Sequence, residues 1–347
     1  MRRLKAALAL SFLLLLAACS KAPSLHQREA FVFGTRVEVS VWGESAEKAQ
    51  QALAAVLAEF DRLHRMLHAW QPSELTRLNA AIARGERDIA VSPELTFILQ
   101  GTAAIAAQSD QLFNPSIGGL VALWGFHSDE FKPLLPDPAA LEAMVKARPR
   151  MTDLAIADNR VSSANRSVQL DLGGYAKGYA LDRAAAILRE TGVRNALINI
   201  GGNVMALGDK GGQPWRVGIQ HPRTAAPLAT LELHDGEAVG TSGDYQRYFE
   251  VGGRRYCHLL DPRSGRPAEG AQAVTVLITP RADTGALSDA ASKPLFIAGA
   301  GEWRGLAQRL GVTHALRIDE KGVMHVTAPF RQRLTILASD LTIGSEP

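Results

Sequence analysis

A chain of 347 residues, 46% of them hydrophobic, can bury one large core or two closely joined lobes without cross-links. It has only 2 cysteines, Cys19 and Cys257, and Cys19 sits at the end of a leader, so no intramolecular disulfide is expected. The formal charge is +3 and the leader residues Arg2, Arg3 and Lys5 account for all of it, which argues against nucleic acid as a main partner.

In chain order, the apolar run Ala6 to Ala18 follows those cations and is too short to span a bilayer, so residues 1–18 read as an export signal. Small residues leading into Cys19 resemble a lipoprotein signal, with a lipid on that cysteine. Residues 19–30 are expected to be a tether and residues 31–340 the folded domain. Phe31 to Phe33 and Val37 to Val41 are β-prone around Gly34-Thr35, and Ala46 to Leu67 carries apolar residues at helical spacing. Ser92, Pro93 and Glu94 start a helix towards Ala107. The proline-punctuated stretch 133–149 reads as a surface excursion with a helix at Ala139 to Ala147. Val168 to Leu172 is expected as a strand, Lys177 to Thr191 as a helix, and five short β-prone runs follow between Ala196 and Ile278. Helices are expected from near Ala286 to Ala298 and from Trp303 to Leu310. The pattern predicts an α+β fold, mixed or antiparallel sheet with helices packed on it, and a ligand between lobes.

Three loops and a hairpin carry chemistry. TSGDYQRYFEVGGRRYCHLLDPRSGRP, from Thr241, reads as a hairpin turning at Gly252-Gly253 and returning through Arg255 to Leu260, which delivers His258 to a polar turn near Asp261, Arg263 and Arg266. Taken alone, His258 reads equally as a structural residue or as a catalytic one. DLGGYAKGYALD, from Asp171, sets a carboxylate and two glycines before a helix start, which suits a phosphate or simply a helix cap. INIGGNVMALG, from Ile198, ends a strand in paired glycines, read as a bend. GALSDAASKPLFIAG, from Gly285, puts Asp289, Ser292 and Lys293 on one helical face, able to hold a hard cation or merely to be solvated.

These motifs, with FGT at Phe33, AWQPSELTRLN from Ala69 and LFNPSIGGLVALWGF from Leu112, stand in the order found in the ApbE family of flavin transferases, and the chain resembles that family from Phe31 to beyond Gly299. The resemblance implies an ApbE-like (T-fold-like), two-lobed single domain. It implies an enzyme, a FAD:protein FMN transferase, that moves the FMN half of FAD onto a threonine hydroxyl of a target flavoprotein and releases AMP. The alternatives are an FAD-binding lipoprotein without turnover and a pyrophosphatase giving FMN and AMP.

By the same resemblance His258 is the essential histidine, and Phe33, Trp70, Leu112, Phe113, Asn114, Asp171, Gly174, Lys177, Thr241, Ser242 and Leu260 contact the dinucleotide. Asn114 stands where the family commonly has aspartate. A Mg²⁺ is implied at Gly174 (backbone carbonyl), Asp289 and position 293. That last position is threonine in the family and Lys293 here, and an ammonium cannot ligate magnesium. Either Ser292 or water completes the shell, or Lys293 pairs with Asp289 and meets the pyrophosphate directly. The expected setting is a lipid anchor at Cys19 on a bacterial membrane, facing the periplasm, with an acceptor flavoprotein of a membrane redox complex as partner.

Overall fold

The computed structural model describes residues 24–128 and 133–344. The expected signal segment and Cys19 lie outside the described residues.

A nine-stranded sheet forms the middle of the molecule, and its strands lie side by side in the order in which the chain makes them. They are Leu25–Val32, Thr35–Trp42, Ala196–Ile200, Asn203–Leu207, Ala238–Gly243, Ala271–Ile278, His314–Asp319, Val323–Val326 and Thr342–Ile343. All neighbours are antiparallel except the last pair. The first strand starts at Leu25, inside the stretch expected as a tether, because Leu25 to Val32 pairs residue for residue with Thr35 to Trp42.

Alternation along these strands sends side chains into two separate cores. On one face Val37, Val39, Val41, Ile198, Val274 and Val276 meet the helices Ala46–Leu67, Ala176–Glu190 and Thr284–Ile297. The 22-residue Ala46–Leu67 helix is capped by Ser45 and buries Ala49, Leu53, Val56, Phe60, Leu63 and Leu67, spaced three to four apart as one stripe. On the other face Val239, Leu277, Leu316 and Ile318 meet Trp215, Val217, Leu231 and Phe330, which belong to a three-stranded sheet and a short helix. A third, smaller cluster joins Ile117, Leu120, Trp124, Phe126, Leu141, Phe249 and Leu260. It forms a smaller lobe, whose Ile117, Phe126 and Leu260 line one cavity together with Asp289 and Lys293 of the main one.

Val168 to Leu172 is not a strand. It is extended but pairs only with the irregular stretch around Ile117, through one parallel bridge and the bonds Gln169 N to Ser116 O (3.1 Å) and Asp171 N to Pro115 O (2.8 Å). The buried amide of Asn79 supplies the rest of the pairing. Asn79 Nδ2 donates to Leu170 O at 2.9 Å, and Asn79 Oδ1 accepts from Leu170 N at 2.7 Å. The helix that carries Asn79, Glu74–Arg84, starts at a capping box between Ser73 and Thr76.

Candidate functional site

Two glycine-dependent contacts set the main-lobe wall of the site. The helices Ala176–Glu190 and Thr284–Ile297 cross at Gly178 and Gly285, where a Cβ on Gly178 would stand 2.2 Å from Gly285 O and 2.7 Å from Asp289 Cβ. Only hydrogen atoms fit there, so the backbones touch and Gly178 N–H reaches Asp289 Oδ2 at 3.0 Å. The second contact is at the bend before the first helix. A Cβ on Gly174 would lie 2.9 Å from Lys293 Cε, so the bend and the lysine stem are fitted to each other.

Asp289 is 1% exposed and holds two ammonium groups. Lys293 Nζ is 2.7 Å from Asp289 Oδ1 and 2.7 Å from its backbone O, and Lys177 Nζ is 3.6 Å from Oδ1 while donating to Gly173 O at 3.0 Å. Burial by itself would raise the Asp289 pKa, but Lys177, Lys293 and the Gly178 N–H together hold it well below the usual carboxylate range. Burial lowers the Lys293 pKa, with the Asp289 carboxylate opposing the shift. Asp171 closes an Asx turn by accepting from Gly173 N at 2.8 Å.

His258 comes from the smaller lobe. The returning strand ends at Cys257, and the next pairing starts at Leu260, so the imidazole sits in the break between them rather than within the continuous strand expected to run to Leu260. Both its backbone N–H (3.0 Å) and its ring Nδ1 (3.2 Å) turn to Arg247 O. A carbonyl only accepts, so Nδ1 carries the proton and Nε2 keeps its lone pair. Burial, then the charges of Arg247 and Lys293, push the His258 pKa down to about 3, which leaves the ring a neutral base. Behind it, Trp124, Phe249 and Tyr256 stack at centroid distances of 5.4–6.4 Å, and Trp124 Nε1 donates to Gly265 O at 2.7 Å, pinning the turn after the histidine.

One cavity of about 500 Å³ opens between these walls, a size typical of small-molecule sites. Asp171, Gly174, Lys177, Asp289 and Lys293 line it from the helical side, and His258 and Leu260 from the hairpin side. Leu112, Phe113 and Asn114 close one end, while Thr241 and Ser242 line it from their strand. Phe33 reaches it from the two-residue turn joining the first two strands, where it holds φ 57°, a left-handed conformation unusual for an aromatic residue. Asn114 uses both ends of its amide, donating to Pro149 O (2.9 Å) and accepting from Ser116 N (3.0 Å), a pairing that an ionised aspartate could not make.

Two expected site residues lie elsewhere. Trp70 is not among the lining residues; its ring rests against His127 at 5.4 Å. Ser292 faces away from the cavity, bonded to Ser242 Oγ at 2.8 Å and donating to Asp289 O at 2.9 Å. Asp261 and Arg263 pair with each other at 2.8 Å outside the cavity, and Asp244 takes both amines of Arg223 at 2.7 Å each, so this cluster does not converge on His258. The cavity instead gains Asn203, Gln246 and Arg247. Asn203 follows the paired glycines of a true hairpin turn, is 3% exposed, and its Nδ2 has no hydrogen-bond partner among the described residues. Gly201-Gly202 reads in the sequence as a bend and Asn203 is missed there, although an asparagine directly after paired glycines is the signal available.

The implied magnesium does not fit these donors. Asp289 Oδ1 is already held by Lys293 and approached by Lys177, Oδ2 by a backbone N–H, and the Ser292 hydroxyl is engaged with Ser242 and Asp289 O. A divalent cation on that carboxylate would stand against two ammonium groups.

The chain is similar to known proteins along most of its length. The model of the ApbE family matches residues 33–316. A FAD:protein FMN transferase of Rhodobacter capsulatus is 44% identical over 314 residues, covering 90% of this chain and 59% of that protein, so the chain spans under two thirds of that relative. A FAD:protein FMN transferase of Salmonella typhimurium is 30% identical, covering 75% of this chain and 76% of the relative. Among solved structures, the ApbE protein of Thermotoga maritima superposes with a TM-score of 0.79 at 30% identity, covering 89% of this chain and 99% of that one. A flavinyl transferase of Pseudomonas stutzeri gives 0.75 at 29% identity, covering 90% and 97%.

Proposed function

The chain belongs to the ApbE family, and on that footing we propose that it is a FAD:protein FMN transferase, taking FAD as substrate and a flavoprotein as acceptor. The observation that carries this reading is one cavity in which a neutral histidine faces a carboxylate-bridged lysine pair across a glycine-lined bend. Lys177 and Lys293 suit a diphosphate, and His258 Nε2 suits a proton acceptor. The acceptor threonine Oγ bonds to the flavin-side phosphorus as the bridging P–O bond breaks. Its proton passes to His258 Nε2, and AMP leaves with the bridging oxygen, its new charge met by Lys177 and Lys293. FAD carries its own anhydride, so the transfer needs no ATP, which suits an exported enzyme. No step of this mechanism passes through magnesium.

The test is to mix the purified chain with FAD and a threonine-bearing acceptor domain, then follow covalent fluorescence on the acceptor and release of AMP. A fluorescent band is expected, and His258→Ala should slow it about 10²- to 10⁴-fold. AMP without a band would make the chain a pyrophosphatase, and neither product would make it a carrier. The leader, with its cations, short apolar run and Cys19, supports a lipid anchor on a bacterial membrane facing the periplasm, beside an acceptor in a membrane redox complex. Cys19→Ala should move the chain from the membrane fraction to the soluble one.

A further inference from the structure

We infer that Lys293, clamped with Lys177 on Asp289, is a built-in cation that takes the place of a divalent metal, so that this chain binds its flavin dinucleotide without magnesium. The inference rests on the reading of the cavity as an FAD site. A metal at this corner would need the backbone carbonyls and the Asp289 carboxylate as ligands. The Lys293 ammonium sits on that carboxylate, 2.7 Å from Oδ1, and at the same time on the Asp289 backbone O at 2.7 Å. Lys177 lies 3.6 Å from the same Oδ1 and donates to Gly173 O, in the bend beside Gly174, at 3.0 Å.

The surroundings are built for the lysine rather than accidentally occupied by it. Its stem runs past Gly174 so closely that a Cβ there would be 2.9 Å from Cε and 3.0 Å from Cδ. Its side chain is 17% exposed, and it lines the cavity, so the ammonium is held from behind by a carboxylate and is open in front to an anion. The trio carries one net positive charge. Three of its members approach each other from two helices whose crossing is fixed by Gly178 and Gly285. A point charge on a tethered stem does for a phosphate what a hydrated ion would do, with no metal to recruit.

Mn²⁺ titration followed by electron paramagnetic resonance, and FAD titration followed by flavin fluorescence, test this on the full chain. Wild type should take up no stoichiometric Mn²⁺, and its FAD affinity should change less than about twofold between chelator and added Mg²⁺. Lys293→Thr should bind one Mn²⁺ per chain and lose about tenfold in FAD affinity in chelator, restored by Mg²⁺. Lys293→Met should lose that affinity in both conditions. The inference is overturned if wild type binds one Mn²⁺ per chain and Asp289→Asn abolishes it, or if Mg²⁺ restores FAD binding that chelator removes from wild type. Binding is read separately from transfer: FAD bound without labelling of an acceptor would end the transferase reading and leave the metal result standing. The Mn²⁺ titration decides the metal question even if FAD does not bind.

Discussion

Gly178→Ala adds one methyl group where two helices touch, and the structure sets its cost. The new Cβ would lie 2.2 Å from Gly285 O, over 1 Å inside ordinary contact, and the obstacle is backbone that cannot rotate away. Overpacking of this kind costs about 1–3 kcal/mol, and a clash with a carbonyl belongs at the upper end. Replacing a helical glycine by alanine returns about 1 kcal/mol. The expected net loss is therefore about 2 kcal/mol, or roughly 4 °C in Tm for a chain of this length. Pushing the helices apart also lengthens the Gly178 N–H bond to Asp289, now 3.0 Å, so FAD affinity should fall as well. Gly305→Ala is the control, because that glycine is also helical but its nearest neighbour atom is 4.0 Å away. It should gain up to about 1 kcal/mol. Urea unfolding midpoints and FAD titrations of both variants give the answer. Equal shifts for the two substitutions would refute the claim that the helix crossing excludes a side chain.

Asp289→Asn removes the charge between two ammonium groups and should destabilise the ligand-free protein by about 3 kcal/mol, less than a fully sealed pair because both lysines reach the cavity. FAD should still bind and should raise the Tm of this variant more than that of wild type; loss of FAD binding would contradict the clamp. Burial keeps His258 neutral in the folded chain down to about pH 3, whereas the unfolded chain takes up a proton near the ordinary value. The stability so gained is full at neutral pH and fades as pH falls through the window from about 6.5 to 3, by about 1 kcal/mol at pH 5 once partial exposure is discounted. His258→Gln should flatten that part of the unfolding profile, and an unchanged slope would remove the histidine from it. Phe33→Asn should stabilise the turn by about 0.5–1 kcal/mol, since asparagine suits a left-handed φ, while weakening FAD binding. A variant no more stable than wild type would mean that the turn carries no strain.

Most helices were legible because their signals are local. Ser45, Ser92 and Asp137 stand at N-caps, and the Ala46–Leu67 stripe repeats at helical spacing. The α+β class and ApbE-like fold expected from the motifs hold in the structural neighbours. What escaped depends on distant partners. Val168 to Leu172 has strand composition, yet its partners are the irregular backbone around Ile117 and an asparagine side chain 91 positions before Leu170, not a neighbouring strand. Asn203 to Leu207 was hidden because Gly201-Gly202 reads equally well as a bend, and only pairing of Ile198 with Met205 makes it a hairpin. At the site, the residues resembling family positions gather in one cavity apart from Trp70, whose ring meets His127, and Ser292, whose hydroxyl bonds Ser242. Arg247 escaped because its backbone carbonyl, which orients the imidazole, leaves no mark in a sequence.

The Asn79 amide has a consequence for how this chain can vary. By gripping the main chain of Leu170 at both N–H and C=O, it moors the acidic bend to a rigid helix independently of the side chain at 170. Variation in the side chain at 170 therefore leaves the mooring intact, whereas the proline-punctuated excursion on the intervening stretch is tied in by Leu141 in the third cluster and by Pro149 O, which accepts from Asn114.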